Sequence, residues 1–144
     1  MARLRVDIVS AEETLYSGEA TLVVAPLAEG EAGILPGHSP LLAKLKAGGV
    51  CVHDAEGAEQ MFYVSGGFLE AQPDHVIVLS DTSIRASDLD EARAAKAVQE
   101  AEQAVQERQG HMDYAQAQAE LAQAAARLRV ARAYQARHHP IPGA

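Results

Sequence analysis

The stretch Arg85-Ala-Ser-Asp-Leu-Asp-Glu-Ala-Arg-Ala-Ala-Lys-Ala97 divides the 144-residue chain into two unlike parts. Nine of the eleven glycines precede Ser87, whereas residues 88–144 hold 17 alanines and no glycine or proline before Gly110. Glycine at short intervals marks turns, and an alanine- and glutamine-rich run without breakers favours helix. Ser87 is the expected N-cap, with Asp88, Asp90 and Glu91 placed to meet the positive end of the helix dipole. The pattern predicts one helix over 88–108, stopped by Gly110. A second is expected from Asp113, which forms a capping-box pattern with Gln116, to Arg137 ahead of Pro140. A connection this short makes the pair an antiparallel hairpin.

Upstream, the period changes to two. Leu4, Val6 and Ile8 alternate with Arg3, Arg5 and Asp7, and Val50 and Val52 alternate with Cys51 and His53, as in half-buried strands. Residues 21–25, 61–65, 68–72 and 75–80 are further short runs rich in β-branched or aromatic residues, separated by Gly, Pro or Asp. Several short strands close in sequence suggest a sandwich or barrel.

The composition excludes several classes. With a formal charge of −8 and few aromatics interleaved in the helices, the chain is not expected to bind nucleic acid. No apolar run approaches the roughly 18 to 20 residues of a membrane span, and the start lacks a long apolar leader, so a soluble cytosolic chain without membrane insertion is expected. A single cysteine, Cys51, makes neither an internal disulfide nor a four-thiolate zinc site. An enzyme reading would pair Cys51 with His53 or His38, but neither pairing has an accompanying acid or oxyanion motif. His138 and His139, adjacent in a tail, make a poor metal site.

On a helical wheel Ala94, Ala97, Ala101, Ala104 and Val105 share a side of the first helix, and Leu121, Leu128 and Arg132 share a side of the second. A seam of alanine packs weakly, because each missing methylene forfeits about 0.8 kcal/mol of burial. Such a hairpin can open or leave its neighbour. Its open end gathers Asp90, Arg93, Arg129 and Arg132. They can be ordinary ion pairs, or an anion site in which guanidinium forks hold phosphate and Asp90 accepts from a hydroxyl or amine. Without a Walker-type loop, a nucleotide there would be sensed and not hydrolysed.

Three segments bear a family resemblance: Gly30-Glu-Ala-Gly-Ile-Leu-Pro-Gly-His-Ser-Pro-Leu-Leu42, Tyr63-Val-Ser-Gly-Gly-Phe-Leu-Glu70 and Leu89-Asp-Glu-Ala-Arg-Ala94. From about residue 3 to 137 the chain resembles the epsilon subunit family of bacterial F-type ATP synthase. The first segment is similar to that family's first-domain loop, and the third to its nucleotide-sensing motif.

The resemblance implies an α+β fold, with an N-terminal β-sandwich over 1–87 and a C-terminal antiparallel α-helical hairpin over 88–144. It also implies a non-catalytic rotor subunit of the central stalk, bound to the gamma subunit and the c-ring at the cytoplasmic face of the inner membrane. The resemblance further implies that the hairpin either folds against the sandwich or extends along gamma into the catalytic head, to the alpha and beta subunits, where it inhibits ATP hydrolysis.

Carried onto this chain, Leu89, Asp90, Arg93 and Ala94, with Arg129 and Arg132, would sense ATP as a regulatory ligand; no cofactor is required. Glu31 and His38 would face the c-ring, although both also read as solvated loop residues. From Leu121 onward Arg127, Arg129, Arg132 and Arg137 meet no acid. Arg127 and Arg137 would contact the catalytic head; equally, the four can be solvated cations suited to the dipole.

Overall fold

The structure, a computed structural model, describes residues 2–138; His139 of the expected His-His tail lies outside them. The first part forms β1 (Leu4–Ser10), β2 (Thr14–Leu27), β3 (Gly30–Ile34), β4 (Leu41–Leu45), β5 (Gly48–Asp54), β6 (Glu59–Val64), β7 (Gly67–Gln72), β8 (His75–Ser80) and β9 (Ser83–Arg85). The 14-residue β2 serves both layers of a sandwich. Its first half runs antiparallel to β1, and its second half runs between β3 and β5, with Val23 opposite both Ile34 and Val52. One layer continues as β1-β8-β7-β4, the other as β5-β6-β9. The period-two residues Leu4, Val6, Ile8, Val50 and Val52 point inward and are fully buried with Val23, Ile34, Phe62, Leu69, Val76 and Val78.

The segment 30–42, expected as a loop, is instead β3, a turn and the start of β4. Its glycines hid the strand, yet β2 supplies a complete backbone partner and Ile34 enters the core. Gly67 has a structural reason to be glycine: its φ is +118°, and a Cβ there would lie 2.0 Å from the Leu79 carbonyl oxygen.

After β9 comes a single 3-10 turn, Ala86–Asp88, then α1 (Glu91–Glu107) and α2 (Tyr114–His138). Ser87, expected as the N-cap, lies inside the 3-10 turn, and the cap is Asp90, whose Oδ1 accepts from the Arg93 amide at 3.0 Å. Ala86 is buried and its carbonyl accepts from the Leu89 amide at 3.1 Å, so the chain makes one tight turn before the helix begins. The Asp113 and Gln116 side chains also go elsewhere than the expected capping box. Asp113 pairs with Arg108 across the turn at 3.4 Å, and Gln116 donates to Glu120.

The outer face of β5 and β6 carries α2. Met61 and Tyr63 pack with Ala86, Ala126 and Val130, flanked by Cys51, Ile84, Leu89 and Tyr134. Gly49 permits the approach, since a Cβ there would sit 3.2 Å from Val130 Cγ2. Ala117, Leu128 and Ala131, about half a turn round α2, are buried on the side of α1. Among the described residues no helix is long and apolar enough to cross a membrane.

Candidate functional site

A cleft of about 190 Å³ opens between the beginning of α1 and α2, lined by Ile84, Asp88, Leu89, Asp90, Arg93, Ala94, Ala97 and Arg127. Four of the six residues expected to sense nucleotide therefore meet here. Their duties differ. Leu89 packs against the hairpin core, Ala94 is buried, and Asp90 spends one carboxylate oxygen on the helix cap. Arg93 is exposed at the cleft.

The two arginines expected beside them lie elsewhere. Arg132 Nε pairs with Glu91 at 3.3 Å, and Arg129 is exposed and does not line the cleft. Arg127 takes the place facing Arg93. Its guanidinium carbon lies 5.1 Å from the centre of the Tyr63 ring, a cation–π distance. Burial pushes the Tyr63 phenol up, and the nearby Arg127 opposes that shift. Two guanidiniums beside two carboxylates thus make a mixed-charge cleft. Pockets for drug-sized ligands enclose about 300–1,000 Å³, so the docked cleft is small for a whole nucleotide.

The remaining expected contacts are dispersed. Glu31 sits exposed near the start of β3, opposite Pro26. His38 follows the other end of β3, with Nδ1 2.7 Å from the Ser39 carbonyl oxygen, in a turn fastened by the Gly37 amide donating to Pro73 at 2.7 Å. Arg137, at the end of α2, is ion-paired with Glu59. Cys51 is half-buried under α2, and burial pushes its thiol up while Arg137 opposes the shift. A thiol held in its protonated form is a poor nucleophile.

One surface was missed from sequence. Leu42, Phe68 and Leu79 are 73%, 53% and 47% exposed on the outer face of β4, β7 and β8, the layer opposite the hairpin. Register places Val9, Leu79, Phe68 and Lys44 side by side across β1, β8, β7 and β4, above a depression of about 320 Å³. The signal was available: Leu41-Leu42, Phe68-Leu69 and Val78-Leu79 are apolar at both phases of a strand. Such an apolar strip is a candidate interaction surface.

Comparison with known proteins agrees in both parts. The family described as ATP synthase, Delta/Epsilon chain, beta-sandwich domain matches residues 3–86. The family described as ATP synthase, Delta/Epsilon chain, long alpha-helix domain matches residues 87–132. The ATP synthase epsilon chain of Alkalilimnicola ehrlichii is 57% identical over 102 residues, 71% of this chain and 73% of that one. The epsilon chain of Bordetella avium is 56% identical, covering 71% and 72%. Among solved structures, a chain of the Euglena gracilis mitochondrial ATP synthase shares the fold with a TM-score of 0.73 at 22% identity, over 96% of this chain and 83% of that one.

Proposed function

The chain belongs to the ATP synthase delta/epsilon chain family, and from that premise we propose that it couples and restrains the rotor of a proton-translocating F-type ATP synthase. It is an epsilon chain, a non-catalytic subunit, so its work is done by docking and by changing position.

In this reading residues 1–87 join the gamma subunit to the c-ring at the inner face of a bacterial membrane. The bare apolar strip of Val9, Phe68, Leu79 and Leu42 is suited to gamma, because burying it removes exposed hydrocarbon from water. Glu31 and His38, on the rim of the sandwich, are assigned to the c-ring. Residues 88–144 are the brake: released from β5 and β6, the hairpin reaches the catalytic alpha and beta subunits with Arg127 and Arg137. The observation that carries the proposal is the contrast between the sandwich's two outer faces. One is covered by the alanine-rich hairpin, and the other carries an exposed apolar strip.

ATP enters as a regulatory ligand. A phosphoryl group held by Arg93 and Arg127 would bridge α1 and α2 and favour the docked state.

Hydrolysis by the reconstituted catalytic head is the direct test, comparing the full chain with one ending at Ser87. The expected result is retained assembly with faster hydrolysis in the truncated form; unchanged hydrolysis refutes the brake. Titration of the isolated chain with ATP tests the sensor. Absence of binding at millimolar ATP, or binding unaffected by Arg93→Ala, removes it.

A further inference from the structure

At the far end of α2, outside the sensing cleft, one carboxylate joins the helix to the sheet. Arg137 pairs with Glu59 at the start of β6, and its Nη1 lies 3.9 Å from Cys51 Sγ on β5. The other Glu59 oxygen faces His53 Nε2 at 3.8 Å. The apolar contacts of α2 with the sheet run through Ala126 and Val130 to Tyr134, and Arg137 lies almost one turn beyond them. Helix ends fray from the last turn inward, so a contact placed there governs whether fraying begins.

We infer that Arg137 and Glu59 form a clasp that closes the docked hairpin at the end of α2 and sets how often the helix lifts from the sheet. α2 brings only Ala126, Val130 and Tyr134 to the apolar seam with the sheet, so a modest charged contact is a sizeable share of what holds it. Glu59 is only 32% exposed and faces the His53 imidazole as well as the helix, which shields the pair from solvent better than two free surface charges. The clasp also makes the two uses of Arg137 exclusive: while it holds Glu59, it cannot meet an acidic group on another subunit. This inference rests on docked geometry and stands whether or not the hairpin slows hydrolysis.

Cys51, the only cysteine of the chain, lies under α2 and reports its lifting. The experiment is N-ethylmaleimide labelling of the full native chain, at reagent concentrations where labelling is slower than reclosure and the rate follows the open population. Glu59→Gln, Arg137→Gln and their combination are compared with the parent.

Each single change is expected to speed labelling about fivefold, which is ~1 kcal/mol at 1.4 kcal/mol per tenfold. The double variant should then label no faster than the faster single. Acceleration by Arg137→Gln alone would mean that Arg137 merely covers the thiol, and overturns the clasp. So do single effects that multiply in the double variant. Amide hydrogen exchange over residues 127–137 is a readout independent of the thiol; protection undiminished in Glu59→Gln overturns the inference as well.

Discussion

Val130→Ala isolates the hydrophobic part of hairpin docking. Val130 is 4% exposed and sits over Gly49, where the sheet offers only backbone. Losing two buried methyl groups costs about 1.6 kcal/mol of transfer free energy, and the residual void adds roughly 1 kcal/mol. Alanine's better helix propensity returns about 0.5 kcal/mol, leaving ~2 kcal/mol and about a 30-fold shift toward the undocked state. The sandwich core contains none of the altered atoms. Hydrogen exchange read by mass spectrometry is therefore expected to show α2 losing about 30-fold in protection while β1 and β8 keep theirs, provided α2 opens without global unfolding. Equal loss across both parts would show that hairpin and sandwich open as one cooperative unit, and would refute a brake that works by detachment. No loss at all would refute the packing argument itself.

Gly67→Ala is expected to destabilise the sandwich by ~3 kcal/mol in urea unfolding, from positive-φ strain plus a methyl driven into the Leu79 carbonyl. Phe68→Glu should leave the isolated chain within about 1 kcal/mol of the parent, because the side chain is half exposed, yet weaken pull-down of a gamma-containing stalk at least about tenfold. Asp7 is held below its ordinary pKa chiefly by the Ser17 hydroxyl donating at 2.6 Å, assisted by His75 and Arg5 against the opposing effect of burial. A depressed carboxyl stabilises the fold above its unfolded pKa and ceases to as pH falls through its folded value. Stability curves of the parent and Asp7→Asn should thus converge below about pH 4 and separate above it.

Helices and period-two strands were legible because each is written in neighbouring residues: Leu4, Val6 and Ile8 alternate, and breakers vanish after Ser87. β3, β4 and β9 were not legible, since five or fewer residues carry little periodicity and their existence depends on partners distant in sequence. Ser87 and Asp90 are both good caps on paper; the buried Ala86 decides between them.

The candidate site shows the same limit. Leu89, Asp90, Arg93 and Ala94 are contiguous and converge as expected, whereas choosing among the arginines of α2 needed the helix's rotation. That rotation is set by two opposed surfaces, with Ala126 and Val130 on the sheet and Ala117, Leu128 and Ala131 toward α1. A wheel drawn for a hairpin in isolation cannot know about the sheet.

The parallel pairing of β1 with β8, from Arg5 opposite His75 to Ser10 opposite Ser80, has a consequence in time as well as space. The sheet cannot close until its eighth strand has been synthesised, and closing so large a loop is entropically slow. The helices need only find each other across residues 108–113, a step that is fast by comparison. With two halves maturing at such different rates, docking of the hairpin onto β5 and β6 is expected to be a late step of folding.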